Sequence, residues 1–171
     1  VFNEAWANFK VDFEPMQESY VKKFLTDAKI ILEEKFIWLG YNQGRPIAIY
    51  LMYPDVNQLF KDFDGNLGLW NKLRTLYGVK TKKMTRARGV LMGVVPEFQR
   101  KGIESAFIWH LQQALKELPQ YTELEFSWVG DFNPPMRKLW MAVGAVSAKH
   151  YITYRYLFDR QKEFKRYPIP E

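Results

Sequence analysis

Arg88-Gly-Val-Leu-Met-Gly-Val-Val-Pro-Glu-Phe-Gln-Arg-Lys-Gly-Ile-Glu-Ser-Ala-Phe107 reads as a buried strand, a tight turn and the first turn of a helix. Gly89 to Val95 is apolar or glycine throughout, which suits a strand covered on both faces. Pro96 ends it, because proline cannot donate to a sheet ladder. Gln99, Arg100, Lys101 and Gly102 form a basic turn. From Ile103 the apolar positions Ala106, Phe107, Leu111, Ala114, Leu115 and Leu118 follow helical spacing. A strand feeding a helix through such a turn aims several free backbone N–H groups at one spot. The helix dipole and two side-chain cations make that spot electropositive. It is a candidate anion site, best matched by phosphate.

Working outward, Phe2, Ala5, Trp6 and Phe9 fall at helical spacing over residues 1–10. Pro15 suits the first turn of a second helix, with Tyr20, Val21, Phe24 and Leu25 on its inner face. Lys35–Tyr41 and Pro46–Tyr53 read as strands joined by an Asn42-Gln43-Gly44 hairpin turn. Pro54-Asp55 ends the second strand and caps a short helix over 56–63. Gly65-Asn66 is a turn, and Leu69–Tyr77 is helical with Leu69, Leu73, Leu76 and Tyr77 on one face. A basic segment, Lys80–Arg88, leads into the long strand; a solvated loop and a nucleic-acid contact are its two readings. Past the central helix, Thr122–Val129 is a strand. Asn133 or a neighbour caps a helix carrying Met136, Leu139, Trp140 and Val143, which Gly144 stops. Ala145–Phe158 alternates as a final strand. This order predicts an α+β fold with a mixed, mainly antiparallel sheet flanked by helices and one βαβ unit in the middle. Residues 1–158 are expected to form the domain and 159–171 a charged tail.

The chain has 171 residues, 47% hydrophobic and 17% aromatic, enough for one domain with a real core. No cysteine is present, which excludes disulfides and thiolate metal sites. Two histidines, His110 and His150, are too few for a zinc site, and no metal is expected. The net charge of +6 suits phosphorylated ligands or nucleic acid. The basic run lacks the interleaved aromatics that stack bases, which counts against nucleic acid. No apolar run approaches the ~20 residues that span a bilayer, and no signal peptide is recognisable. A cytoplasmic protein without membrane association is expected. The chain opens on Val1 in what reads as the middle of a helix, so the natural start is expected to lie earlier.

Val94-Val-Pro-Glu-Phe-Gln-Arg-Lys-Gly-Ile103 resembles the acetyl-CoA motif of the GNAT N-acetyltransferase superfamily, a strand followed by Gln/Arg-x-x-Gly-x-Gly/Ala. Asn133 with Leu139, Gly144 and Ala145 resembles its second motif, an Asn-led helix. Trp6, Pro54-Asp-Val-Asn57 and Glu125-Phe-Ser-Trp128 further resemble the C-terminal half of bacterial proteins with two GNAT-like halves. The resemblance implies a GNAT-like acyl-CoA N-acyltransferase fold, acetyl-CoA as acyl donor, an amine as acceptor, and a preceding GNAT-like half as packing partner.

Carried over by position, the resemblance implies that the pyrophosphate of CoA sits on Gln99, Arg100, Lys101, Gly102 and Ile103, with Ser105 behind. Val94 and Val95 would hydrogen-bond the pantetheine arm, with Asn133 completing the cofactor site. Gly93 would mark a bulge that opens the sheet. Acyl transfer needs a proton acceptor for the amine, and Glu125, on the strand after the motif helix, is the first choice, ahead of Glu97 and Asp131. A salt-bridged sheet residue is the other reading of Glu125. Two positions depart from the pattern. Glu104 stands where the motif has its last small residue. Trp140 stands where many members have a tyrosine that protonates the leaving thiolate, and an indole is no general acid. These departures suit a second reading, a non-catalytic GNAT-like half that supports or senses for its partner. The acceptor is not legible.

Overall fold

The computed structural model describes residues 1–7, 14–131 and 133–165. The chain divides into two compact units, Val1–Ser127 and Trp128–Glu171.

The first unit is built on a four-stranded sheet in the order β1-β2-β3-β4. β1 (Ile37–Asn42) and β2 (Arg45–Pro54) form an antiparallel hairpin, β3 (Arg86–Val94) runs antiparallel to β2, and β4 (Glu123–Glu125) runs parallel to β3. The hairpin forms where Asn42-Gln43-Gly44 predicts it. Gln43 and Gly44 both have positive φ, 48° and 81°, the backbone twist that matches two-residue hairpin loops. The helices of this unit are α1 (Phe2–Trp6), α2 (Glu18–Ala28), α3 (Asn57–Phe60), α4 (Leu69–Lys80) and α5 (Ile103–Glu117). Alternation along β2 sends Ala48, Tyr50 and Met52 to one face, where α5 supplies Phe107 and Leu111. Tyr50 stacks on Trp38 at 5.6 Å between ring centroids and meets Phe107 at 5.9 Å. On the opposite face α1 lays the ring of Trp6 against Gly93, where no side chain stands in its way. β3 is thus covered on both faces, as its unbroken apolar run predicts.

The structure departs from the expected elements in four places, three of them in this unit. α2 begins at Glu18, beyond Pro15, and its apolar stripe is not an inner face. Tyr20, Val21, Phe24 and Leu25 are exposed, and only Ala28 of this helix is buried. The bulge lies not at Gly93 but three residues earlier, at Val90. Leu51 pairs with Leu91 and Met52 with Gly89, so Val90 is the extra residue on β3. The strand expected over 122–129 is only Glu123–Glu125, because its ladder with β3 stops at Arg88–Glu125, just where β3 bulges.

The second unit contains α6 (Pro134–Ala142), with Asn133 as its N-cap. Asn133 Oδ1 accepts the Met136 N–H at 3.2 Å, and two prolines occupy the first turn, where no N–H is needed. No strand forms over 145–158. A strand is a pairing and not a propensity, and no other described segment of this unit is a strand. Val146, Tyr154 and Phe158 are largely exposed.

Tyr50 carries a testable anomaly. Its side chain is wholly buried, and its hydroxyl has no hydrogen-bond partner among the described residues. Burial pushes its phenol above the ordinary tyrosine range. Only the unfolded chain then ionises this group near pH 10, so its contribution to stability is intact below pH ~10 and declines above it. Tyr50→Phe is therefore expected to keep the ring stacking, to change stability at neutral pH by no more than about 1 kcal/mol in either direction, and to flatten the alkaline decline. Urea midpoints at neutral and alkaline pH test this. A loss above about 2 kcal/mol at pH 7 would mean that the hydroxyl has a partner.

Candidate functional site

The motif residues cluster at the end of β3. Val95 N–H donates to Ile47 O at 2.9 Å, astride the Ala48–Val94 pair. That pair is therefore of the non-hydrogen-bonded kind, and Val94 aims its own N–H and C=O at the opposite edge of β3. β4 has ended by then, so this edge beyond Arg88 has no neighbouring strand among the described residues. The Val94 carbonyl accepts the Gln99 side-chain amide at 3.0 Å. Both main-chain groups of Val95 are engaged, since its carbonyl takes the Phe98 N–H at 2.9 Å. Of the two valines, only Val94 faces the open edge. The Gln99 bond is invisible in the sequence; its effect is to tie the turn back onto the strand it leaves.

The turn itself is forced into left-handed geometry twice. Arg100 has φ 60°, unusual for a residue with a side chain, and Gly102 has φ 83° as N-cap of α5. Such alternation gathers successive N–H groups into a concave anion nest. Gly102 supplies no capping side chain, and the first intrahelical bond is Ala106 N–H to Gly102 O at 3.0 Å. The N–H groups of Ile103, Glu104 and Ser105 thus lack intrahelical acceptors. Arg100 and Lys101 are exposed, Lys101 with its Nζ 5.0 Å from the Phe98 ring centroid. Ser105 is exposed and Ile103 half-buried. Glu104 is half-buried in the first turn of α5, where its charge favours the helix dipole and opposes a bound anion.

At the foot of the same open edge lies a charge cluster. Arg86 Nε meets Glu123 Oε1 at 3.0 Å, and Arg86 Nη1 lies 3.4 Å from Asp55 Oδ2 and 3.9 Å from Glu125 Oε2. Arg88 Nε is 3.8 Å from Glu125 Oε1. The Glu123 hydrogen bond above all, with the Coulomb attraction of Glu123 and Asp55, holds the Arg86 guanidinium more firmly protonated than usual. Glu125 therefore sits where β3 and β4 part, beside two guanidinium groups. Parallel register explains this: Arg86 and Arg88 stand opposite Glu123 and Glu125. Of the other candidates, Glu97 pairs with Arg45, which also reaches Glu4 at 3.4 Å, and Asp131 is exposed. Glu4, Arg45, Val95, Pro96 and Glu97 line an open cleft beside the strand end. His110 is exposed on α5, edge-on to Trp109. Asn133 and Trp140 belong to the second unit, where Trp140 is half-buried on α6.

The fold has solved counterparts. An aminoglycoside acetyltransferase, meta-AAC0020, from an uncultured soil metagenomic sample superposes with a TM-score of 0.54 at 11% identity, over 92% of this chain and 84% of its own. The chain has the GNAT acetyltransferase fold. AAC(6')-Iy, solved with a CoA-containing bisubstrate analogue, superposes with a TM-score of 0.53 at 14% identity, over 92% of this chain and 87% of its own. No family model matches the sequence. Among curated proteins, the bacterial ceramide synthase of Caulobacter vibrioides is 26% identical over 158 residues, and protein YghO of Escherichia coli is 26% identical over 157. These stretches are 91% and 90% of this chain, which spans 40% of the length of each relative. Among the described residues of this GNAT-fold chain, no helix is long and apolar enough to cross a membrane.

Proposed function

We propose that this chain is a CoA-thioester-dependent N-acyltransferase module, with acetyl-CoA or a longer acyl-CoA as donor. The observation that carries it is the nest at Arg100–Gly102 opening onto the first N–H groups of α5, beside the edge at Val94 that has no neighbouring strand among the described residues. In this reading the turn binds the pyrophosphate, and the pantetheine arm lies along β3 as an added strand. The amine nitrogen attacks the thioester carbonyl. Its proton passes to a base, the Val94 N–H stabilises the oxyanion, the C–S bond breaks, and the thiolate takes up a proton. Glu125 is the proposed base, through its position where the strands part. The likeness to a protein named bacterial ceramide synthase favours a lipid amine as acceptor. Glu125→Gln should lower kcat at least tenfold with KM little changed, whereas a purely structural Glu125 would move stability and leave kcat alone.

Glu104 supports the second reading, a GNAT-like half that binds no donor and serves a partner half. The two diverge in a binding experiment. If the site takes CoA, Glu104→Ala should tighten CoA roughly tenfold at low salt by removing a like charge, and less as salt rises. It should also cost about 0.5 kcal/mol of stability through the helix dipole. Calorimetric titration of CoA into both forms decides. No binding by the parent chain with binding by the variant supports the non-catalytic half.

A further inference from the structure

α4 is mounted with its apolar side outward. Gly78 is its one buried residue, seated against Leu59 of α3. Asn71, Thr75 and Val79 beside it are half-buried: Asn71 Nδ2 donates to Asn66 O at 2.7 Å, and Thr75 Oγ1 donates to Asn71 O at 2.8 Å. The outward side carries Leu69 (78% exposed), Trp70 (74%), Leu73 (49%), Leu76 and Tyr77 (61%). At roughly 100° per residue these five fill an arc of about 120° opposite Gly78. Lys72 borders one side of the arc and Arg74 the other, and Lys80, Lys82 and Lys83 follow at its C-terminal end. All five cations are exposed, and none is in an ion pair among the described residues. No Asp or Glu occurs between Asp64 and Glu97, and the other two cations of that interval, Arg86 and Arg88, are taken by the acids on and beside β4.

We infer that α4 and the Lys80–Lys83 turn form a docking face for an anionic phospholipid bilayer. The pattern is that of an interfacial helix: leucines with a tryptophan and a tyrosine on one arc, cations along its borders, no opposing charge. The aromatic pair suits the headgroup level, where one end of the ring is apolar and the other wet. A nucleic-acid partner would use the cations but has no use for Leu69, Leu73 and Leu76. A second copy of this face would bring like charges together. The expectation of no membrane association rested on the lack of a spanning run, and a helix lying in the interface needs none.

The 171-residue chain is mixed with vesicles of phosphatidylcholine alone and of phosphatidylcholine with phosphatidylglycerol, and bound protein is measured by flotation at low and high salt. Binding at least tenfold stronger to the anionic vesicles and weakened by salt is expected, with brominated lipid quenching a signal that Trp70→Phe removes. Leu69→Glu with Leu73→Glu should abolish the binding. Lys80→Glu with Lys82→Glu and Lys83→Glu should weaken it at least tenfold. These side chains are exposed, so circular dichroism and thermal midpoint should stay unchanged. Absence of binding to anionic vesicles at low salt overturns the proposal, as does binding that survives Leu69→Glu with Leu73→Glu. Concentration-dependent dimerisation lost in that double variant, or salt-sensitive binding to short RNA duplexes in place of vesicles, overturns it in favour of a second copy or a nucleic acid.

Discussion

Gly93→Val is expected to destabilise the protein by about 3 kcal/mol and to detach α1 from the sheet. The Trp6 ring lies flat enough on the Gly93 backbone that even a single Cβ there would collide with it and approach Ala5 Cβ to 3.1 Å. Trp6 has little room to retreat, because it is already stacked on Phe2 at 4.8 Å. The strand backbone cannot yield either: Ile49 pairs with Gly93, and the flanking pairs fix the register. A β-branched residue would be favourable in a strand without this neighbour, so propensity predicts the opposite sign. Urea unfolding measures the loss, and Trp6→Ala separates its causes. If α1 docking is the whole effect, the two substitutions together should cost little more than either alone. A Gly93→Val protein as stable as the parent would show that Trp6 does not rest there.

Arg100→Glu with Lys101→Glu is expected to weaken CoA binding at least about 100-fold without changing the fold. A charge-assisted hydrogen bond to phosphate contributes about 1.5–3 kcal/mol, and reversal adds repulsion to the loss. Both side chains are exposed, and neither forms an ion pair among the described residues, so stability should shift by about 0.5 kcal/mol or less. The backbone nest would remain, because Gly102 still supplies its positive φ. Equal binding by parent and variant would mean that CoA, if bound, sits elsewhere.

The sequence made the centre of the fold legible because several signals there agree. An apolar run, a proline stop, a glycine at a left-handed position and a change to helical spacing all fall within twenty residues of Arg88. The hairpin turn was equally legible, since Asn-Gln-Gly permits positive φ where a hairpin needs it. Features that depend on distant partners were not. Gly93 reads as a bulge because glycine in a strand often marks one, yet here it makes room for the indole of Trp6, far away in sequence. The true bulge at Val90 lies beside Gly89, the other glycine of the strand, and only the pairing with β2 tells the two glycines apart. The alternation of Ala145–Phe158 promises a strand, but alternation cannot supply the neighbour with which a strand must pair. At the site, Glu125 could be picked from its place on a strand. Its Arg86 and Arg88 neighbours appear only once parallel register is known. The apolar stripe of α4 was also readable; that it faces outward was not, because only the packing of Gly78 on Leu59 fixes the rotation of the helix.

Calorimetric titration of acetyl-CoA into the 171-residue chain shows whether the turn after β3 holds the diphosphate of a CoA thioester. Saturable binding at roughly tens of micromolar or tighter is expected, weakened by salt, abolished by Arg100→Glu with Lys101→Glu and strengthened by Glu104→Ala. No heat and no thermal shift at millimolar acetyl-CoA, in the parent chain and in Glu104→Ala alike, would contradict it.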